Sequence, residues 1–281
     1  MDLTGKGVFL TGGARGLGRG MTEALLAKGA KVLICDINTE TGLATEGELQ
    51  KQYGAENVIF KQCDVTDSAQ LKAAFEAAVS KFGAVDICVN NAGIMDERVW
   101  EKMIAINLAA QIRGCQLALE HMRRDRGGRG GLIINTVSTA GLYPGYWFPV
   151  YTATKHAMIG FTTSWAKNPK MPEMGVRWRC LCPDGINTDL LVLQENQVHD
   201  VEDFMKEVRA AGILEPEEVV EAFMKIVQDQ DSDDVIFELW KGTKGQYRRR
   251  QLVDSDGVSN LVTVDTPTSS SSSAAGGGDS K

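Results

Sequence analysis

Tyr151 and Lys155 lie four residues apart in a stretch, Val150 to Lys167, where Val150, Ala153, Ala157, Met158, Phe161 and Trp165 recur at helical intervals. That spacing puts a phenol and an ammonium on one helix face. A free tyrosine, with a pKa of about 10, is a poor base at neutral pH, whereas proton exchange with an alcohol needs a group nearer the working pH. A unit positive charge at about 4 Å contributes roughly 4 kcal/mol at an effective dielectric of about 20, equivalent to about three pKa steps at most. Lys155 is therefore expected to bring Tyr151 near neutrality. A helix also carries Tyr and Lys at this spacing by chance, so the pair gains weight only from its surroundings. Ser138 stands a short way upstream and Asn107 further back.

The elements that must position these residues begin at the N-terminus. Gly7 to Leu10 is a short apolar run of the kind buried in a parallel sheet, and it leads through Thr11-Gly12-Gly13-Ala14-Arg15-Gly16-Leu17-Gly18 into a helical segment, Arg19 to Lys28. Glycines let backbone approach a pyrophosphate, and the helix N-terminus turns its free amides toward that anion. A second apolar strand, Lys31 to Ile34, ends at Asp36, at the distance where an acidic residue takes a ribose hydroxyl. Asp36 should accept from the 2′-hydroxyl and repel a 2′-phosphate, which selects NAD over NADP. Arg15 argues the other way if it pairs with such a phosphate, although it could equally stack on adenine or lie in solvent.

Strand and helix patterns keep alternating: Val58 to Cys63 strand, Ser68 to Phe82 helix, Asp86 to Val89, Gly131 to Val137, Val176 to Leu181 and Val235 to Leu239 strands. The expected fold class is α/β, a single doubly wound parallel sheet of Rossmann type with helices on both faces, binding ligands off the carboxyl ends of its strands. Asp64, Asn90-Asn91-Ala92-Gly93, Ser138 and Pro183-Asp184-Gly185-Ile186-Asn187-Thr188 all fall at those ends. Singly, each has a plainer reading: Asn107 as a buried amide satisfied by backbone, Ser138 as a turn cap, Asn90 to Gly93 as a strand-end turn. Their convergence favours a site.

Thr139 to Pro149 carries Tyr143, Tyr146, Trp147 and Phe148 among Gly141, Pro144, Gly145 and Pro149, and is expected to form a substrate wall just before the Tyr151 helix. Leu190 to Gly212, with Leu191, Val192, Leu193 and Phe204, is expected to close over it as a lid, or else to pack as a surface helix.

At 281 residues and 43% apolar composition the chain can bury a large core, and the periodicity favours one domain, residues 1–264, followed by a Ser/Gly-rich tail, 265–281, that cannot bury apolar area. A net charge of −7 argues against nucleic acid as a partner, and Arg248-Arg249-Arg250 reads as a solvated patch. The six scattered cysteines suit a reduced, cytoplasmic protein. Neither Cys180-Leu181-Cys182 nor the three histidines complete a metal site, and no apolar stretch is long enough to span a membrane.

Thr11, Gly12, Gly16, Gly18, Asp64, Asn90 to Gly93, Asn107, Ser138, Tyr151, Lys155, Pro183 and Thr188 together resemble the short-chain dehydrogenase/reductase family, over about Gly5 to Leu239. The resemblance implies an NAD-dependent alcohol dehydrogenase in which Tyr151 exchanges the alcohol proton and Ser138 holds the substrate oxygen. Lys155 would lower the Tyr151 pKa and bind the nicotinamide ribose, and Asn107 would position a water that relays the proton. Asp36, Ile37, Asp64, Val65 and Asn91 would hold the adenosine half, and Ile186 and Thr188 the nicotinamide half. Gly12, Arg15, Gly16, Leu17, Gly18, Ala92, Gly93 and Pro183 would complete the cofactor site. Ser138, Tyr143, Phe148, Tyr151 and Gly185 would face the substrate, an apolar or aromatic secondary alcohol or ketone such as a hydroxy fatty acid or a prostaglandin-like molecule. The resemblance also implies a homodimer or homotetramer built on long helices, here Val99 to Met122 and Val150 to Lys167. The family's Pro-Gly after the sixth strand is Pro183-Asp184-Gly185 here, and its usual serine before the lysine is Thr154. An NADPH-dependent carbonyl reductase, favoured by Arg15, and a non-catalytic NAD-binding scaffold protein, suggested by Asp184, are the competing expectations.

Overall fold

A computed structural model describes residues 2–248. The expected end of the domain at 264, the tail 265–281 and Arg249-Arg250 lie outside the described residues. Eight strands form one sheet in the order β3-β2-β1-β4-β5-β6-β7-β8: β1 (Gly7–Thr11), β2 (Lys31–Asp36), β3 (Val58–Gln62), β4 (Ile87–Asn90), β5 (Gly131–Thr136), β6 (Val176–Pro183), β7 (Ile236–Leu239) and β8 (Gln246–Arg248). Seven run parallel and were expected. β8 is an addition to that expectation: it pairs antiparallel with β7 at the edge. A short polar strand after a Gly-containing turn needs no crossover helix and carries no apolar run to announce it.

Alternation along each strand sorts the core into two layers. Val8, Leu10, Val32 and Ile34 face Met21 and Leu25 of α1 (Gly16–Leu26), Leu49 of α2 (Thr39–Tyr53), and Val219, Phe223 and Ile226 of a helix near the C-terminal end of the described chain. Phe9, Leu33 and Ile133 face Leu71 and Phe75 of α3 (Ser68–Phe82) and residues of the chain that follows β4. The single helix expected over Val99 to Met122 is three pieces: α4 (Trp100–Ile104), a π-helical stretch Ala105–Ala110, and α5 (Gln111–Met122). The widened turn falls on Asn107, and π-bulges of this kind are a recurring feature of functional sites.

The Tyr151 helix is α6 (Pro149–Ala166), with proline in its first turn where a missing N–H costs nothing. The short α7 (Met171–Met174) leads into β6, α8 (Val201–Ala211) follows it, and α9 (Pro216–Gln228), which supplies Val219, Phe223 and Ile226, precedes β7. Among the described residues no helix is long and apolar enough to cross a membrane, no group of three or more His, Cys, Asp or Glu side chains could hold a metal ion, and all six cysteines are buried thiols.

Candidate active site

The strand order reverses between β1 and β4, and the crevice opens there. Thr11 ties the two carboxyl ends together, its Oγ1 accepting from the N–H groups of Asn91 at 3.0 Å and Ala92 at 3.1 Å, while Asn91 Nδ2 donates to the Gly12 carbonyl at 3.0 Å. The glycine turn is built for close backbone approach. Gly12 has φ +66°, and a Cβ on Gly18 would sit 2.0 Å from the Gly12 oxygen. Among the described residues no side chain caps the N-terminus of α1, and its first turn carries no acidic residue, so its amides are placed to meet an anion.

Asp36 ends β2 beside that turn, its Oδ2 accepting from Ala14 N–H at 3.1 Å and its Oδ1 from Asn38 N–H at 3.1 Å. Ile37 follows it, exposed, and Leu17 packs partly into the core. Asp64 holds its own loop, accepting from the Thr66 amide and hydroxyl at 2.9 and 2.7 Å, with half-buried Val65 between them. Asp67 rather than Asp64 caps α3. Arg15 forms an exposed ion pair with Asp189 at 2.7 Å, linking the glycine turn to the chain after β6.

Across the crevice, Gly93 faces both Asn107 and Lys155: a Cβ there would lie 3.3 Å from Asn107 Oδ1 and 3.8 Å from Lys155 Nζ. The Asn107 amide is fully buried and spent on one residue, its Oδ1 accepting from Ile94 N–H at 2.9 Å and its Nδ2 donating to the Ile94 carbonyl at 2.8 Å. The plainer reading of that side chain, satisfied by backbone, is the observed one, and it clamps the turn after Gly93. Ser138 Oγ accepts from Ala140 N–H at 3.1 Å and lies on the Tyr151 side of the site, where it holds down the phenol's pKa. Lys155 Nζ donates to the Thr136 carbonyl at 3.0 Å and lies 5.4 Å from the centre of the Tyr151 ring.

Tyr151 and Lys155 do not titrate as the bare pair suggests. Burial pushes the Tyr151 phenol up to about 12, with Ser138 opposing it, and burial pulls the Lys155 ammonium down to about 8. The expectation of a near-neutral tyrosine counted the lysine charge but not the desolvation of both groups in the folded chain.

The floor is Pro183 to Thr188. Its register is held by Leu214, whose N–H donates to the Gly185 carbonyl at 2.8 Å and whose carbonyl accepts from Asn187 N–H at 2.8 Å, around a bridge between Ile186 and Leu214. Asp184 is half-buried, with Oδ1 accepting from the Thr139 hydroxyl at 2.9 Å, and burial raises its carboxyl above the ordinary value. The anomalous carboxylate is thus held by the residue directly after Ser138.

Phe148 packs edge-on to Tyr151 at 5.7 Å and to Phe204 of α8 at 5.1 Å. With Met95, Met103, Ala140 and Val198 they form one apolar cluster, and Leu191, Leu193 and Val208 pack against it. Gly185 belongs to the same wall, since a Cβ on it would meet Val208 Cγ1 at 3.2 Å. Asp203 of α8 latches the wall, its Oδ2 accepting from Trp147 Nε1 at 2.9 Å and from the Tyr146 hydroxyl. Tyr143 turns to other neighbours, packing edge-on against Trp240 at 5.4 Å beneath the Arg248 guanidinium at 4.9 Å. Arg248 also lies 3.7 Å from Glu238, so it is paired rather than a solvated patch. Asp203, Asp189 and Thr139 acquire their roles only through partners far along the chain, and no sequence pattern singles them out.

The model of the short chain dehydrogenase family matches residues 6–198. The chain belongs to the short-chain dehydrogenase family. Among its relatives, 15-hydroxyprostaglandin dehydrogenase [NAD(+)] of Homo sapiens is 39% identical over 245 residues, covering 85% of this chain and 92% of that protein. The 3beta-hydroxysteroid dehydrogenase 2 of Eggerthella lenta is 34% identical over 197 residues, 67% of this chain and 74% of that protein. A solved short-chain dehydrogenase/reductase of Burkholderia phymatum, in complex with NAD, superposes with a TM-score of 0.71 at 22% identity, covering 81% of this chain and 87% of that one, a likeness of fold. In this short-chain dehydrogenase, Trp100-Glu101-Lys102, the glycine-rich stretch before Leu132, Tyr151 to His156 and Gly212-Ile213-Leu214 point, as sequence, toward the prostaglandin enzymes, and the identity runs the same way.

Proposed function

We propose that this short-chain dehydrogenase is an NAD-dependent oxidoreductase that moves a hydride between nicotinamide and a secondary alcohol or ketone of an apolar substrate, with a hydroxy fatty acid or prostaglandin-like molecule as the first class to try. One observation carries the reading: buried Tyr151, with Lys155 Nζ 5.4 Å from its ring centre and Ser138 beside it, opens into an apolar wall at the crevice that the N-terminus of α1 and Asp36 border. The cofactor site fits NAD, since the α1 amides and the glycine turn suit a pyrophosphate and the Asp36 carboxylate suits a free 2′-hydroxyl while repelling a 2′-phosphate. The relatives named for NAD support that choice, and Arg15, engaged by Asp189, does not oppose it.

When bound, NAD supplies the nicotinamide carbon that accepts hydride from the alcohol carbon. The protein's own residues handle the proton. Ser138 Oγ holds the alcohol oxygen against the Tyr151 phenolate, which takes its proton as the C–H bond breaks, leaving ketone, NADH and a protonated tyrosine. A pKa of about 12 for Tyr151 in the chain alone makes the phenolate scarce at neutral pH, so Lys155, cationic below about 8, favours it electrostatically. Phe148 and Phe204, packed edge-on, exclude water from the reacting bond. Asn107 serves by clamping Ile94 and so shaping the Lys155 side of the site. The finer expectations, a cytoplasmic homodimer or homotetramer with a domain ending near 264, stand as part of this proposal.

The test is NADH formation by purified protein with NAD and a panel of apolar secondary alcohols, hydroxylated fatty acids included, beside a Tyr151→Phe control. Turnover that the control lacks supports the reading. Equal turnover in the control, or none on any alcohol with no NAD binding, overturns it.

A further inference from the structure

Tyr151 occupies the first turn of α6, and that turn has no local side chain to cap its free amides. The flanking residue, Phe148, accepts from Thr152 N–H through its carbonyl at 2.9 Å but has no side-chain acceptor for the first amides, and Pro149 has no N–H to satisfy. The next two amides are met from elsewhere: Glu97 Oε2 accepts from Val150 N–H at 3.2 Å and Glu97 Oε1 from Tyr151 N–H at 3.0 Å. A carboxylate there also faces the positive end of the helix dipole, and its two oxygens fix the turn in direction as well as in height.

Glu97 is itself held on both flanks. Its N–H donates to the Gln197 carbonyl at 2.8 Å, and Gln197 Nε2 donates back to the Met95 carbonyl at 2.7 Å. Arg98 reaches the Glu195 carbonyl and Gln194 Oε1, each at 3.3 Å. On the other side of the same segment, His199 N–H donates to the Trp147 carbonyl at 2.7 Å. Residues 194–199 therefore grip both the Glu97 turn and the loop that enters α6. The carboxylate is the joint between them, bonded to the backbone of the tyrosine itself.

We propose that Glu97 is a positioning residue for the proton transfer: by bonding the Tyr151 amide it sets where the phenol stands relative to Ser138, and without it the tyrosine is present but misplaced. This rests on the reading of Tyr151 as acid and base, and Glu97 acts only through that residue. A misplacement of about 1 Å from a group away from the reacting atoms costs about 100-fold in rate, whereas a plain helix cap costs stability alone.

The measurement uses the full chain with NAD and its best secondary alcohol, comparing Glu97→Ala, Glu97→Gln and Tyr151→Phe. Turnover, the Kd for NAD and the melting temperature are read for each, with assays run well below every melt. Glu97→Ala should lower kcat about 10- to 100-fold while the Kd for NAD stays within about twofold. Glu97→Gln, which keeps an oxygen to accept one amide, should recover most of that loss. A Glu97→Ala kcat within about threefold of the parent overturns the proposal, as does a loss no smaller in Glu97→Gln. If the alanine variant does not fold, Glu97→Asp decides: the carboxylate withdrawn by one methylene should cost about tenfold in kcat, and an unchanged kcat refutes the role. A Tyr151→Phe variant that still turns over removes the acid and base reading itself, which separates its failure from that of Glu97.

Discussion

Lys155 should make the cofactor-free protein less stable than it would be with an apolar residue there. Only 3% of it is exposed, and burial pulls its pKa from 10.5 to about 8. At about 1.36 kcal/mol per pKa step, the native state carries an ammonium at pH 7 at a cost of about 3 kcal/mol. Lys155→Met keeps the length and removes the charge, but strands the Thr136 carbonyl that Nζ now serves at 3.0 Å, a loss of about 1 kcal/mol. The variant should therefore gain about 2 kcal/mol at pH 7. Because the native pKa is depressed, the folded parent sheds its proton before the unfolded chain does, and its stability rises as pH climbs from about 8 toward 10.5. By pH 10 about 1 kcal/mol or less of the charge cost remains, and the advantage of the variant disappears. Urea denaturation of parent and variant at pH 7 and pH 10 measures this, with titrations common to both proteins cancelling in the difference. A variant less stable than its parent at pH 7, or a difference that does not shrink with pH, refutes the reasoning. The same variant should have lost turnover, so stability and function here pull in opposite directions.

Asp203→Ala frees Tyr146 and Trp147 from α8, so KM for an apolar alcohol should rise about tenfold with kcat changed less than about threefold, in steady-state kinetics across alcohol concentration. Asp203→Asn, which keeps an acceptor, should fall between. Asp184→Gly removes a carboxylate held beside Ser138 by Thr139; since oxidised nicotinamide is cationic and reduced nicotinamide is not, affinity for NAD should fall about tenfold relative to NADH, as read by titration calorimetry with both. Burial raises the Asp184 carboxyl, so in the parent that preference should fade as pH falls through the raised value and the group becomes neutral.

Seven strands were legible because a sheet covered on both faces demands unbroken apolar runs, as in Val8 to Leu10 and Leu132 to Ile134. The carboxyl-end residues were legible for the related reason that strand ends can be counted. β8 was not, because Gln246–Arg248 lies at an edge and is largely polar. Nor was the break in the helix over Asn107, since an inserted π turn leaves the composition helical. Tyr143 illustrates a limit of loop reading: aromatics in one loop look alike as sequence, yet Phe148 meets Tyr151 while Tyr143 meets Trp240. Charge effects were half legible. The Lys155 charge could be read from spacing, but the desolvation that outweighs it depends on what covers the pair. Glu97, Asp189 and Asp203 were beyond reach because each acts on a partner at least fifty residues away, where spacing carries no signal.

The stitch between Thr11 and Asn91 joins positions 80 residues apart, and it has a consequence for how the molecule assembles. The two strands that flank the crevice, β1 and β4, are separated in the chain by two other strands and three helices, so their pairing is a non-local step of the kind that is slow in parallel sheets. The dinucleotide crevice is then a late product of folding. A ligand that needs the finished crevice should hardly speed refolding, but should slow unfolding and extend the lifetime of the native chain.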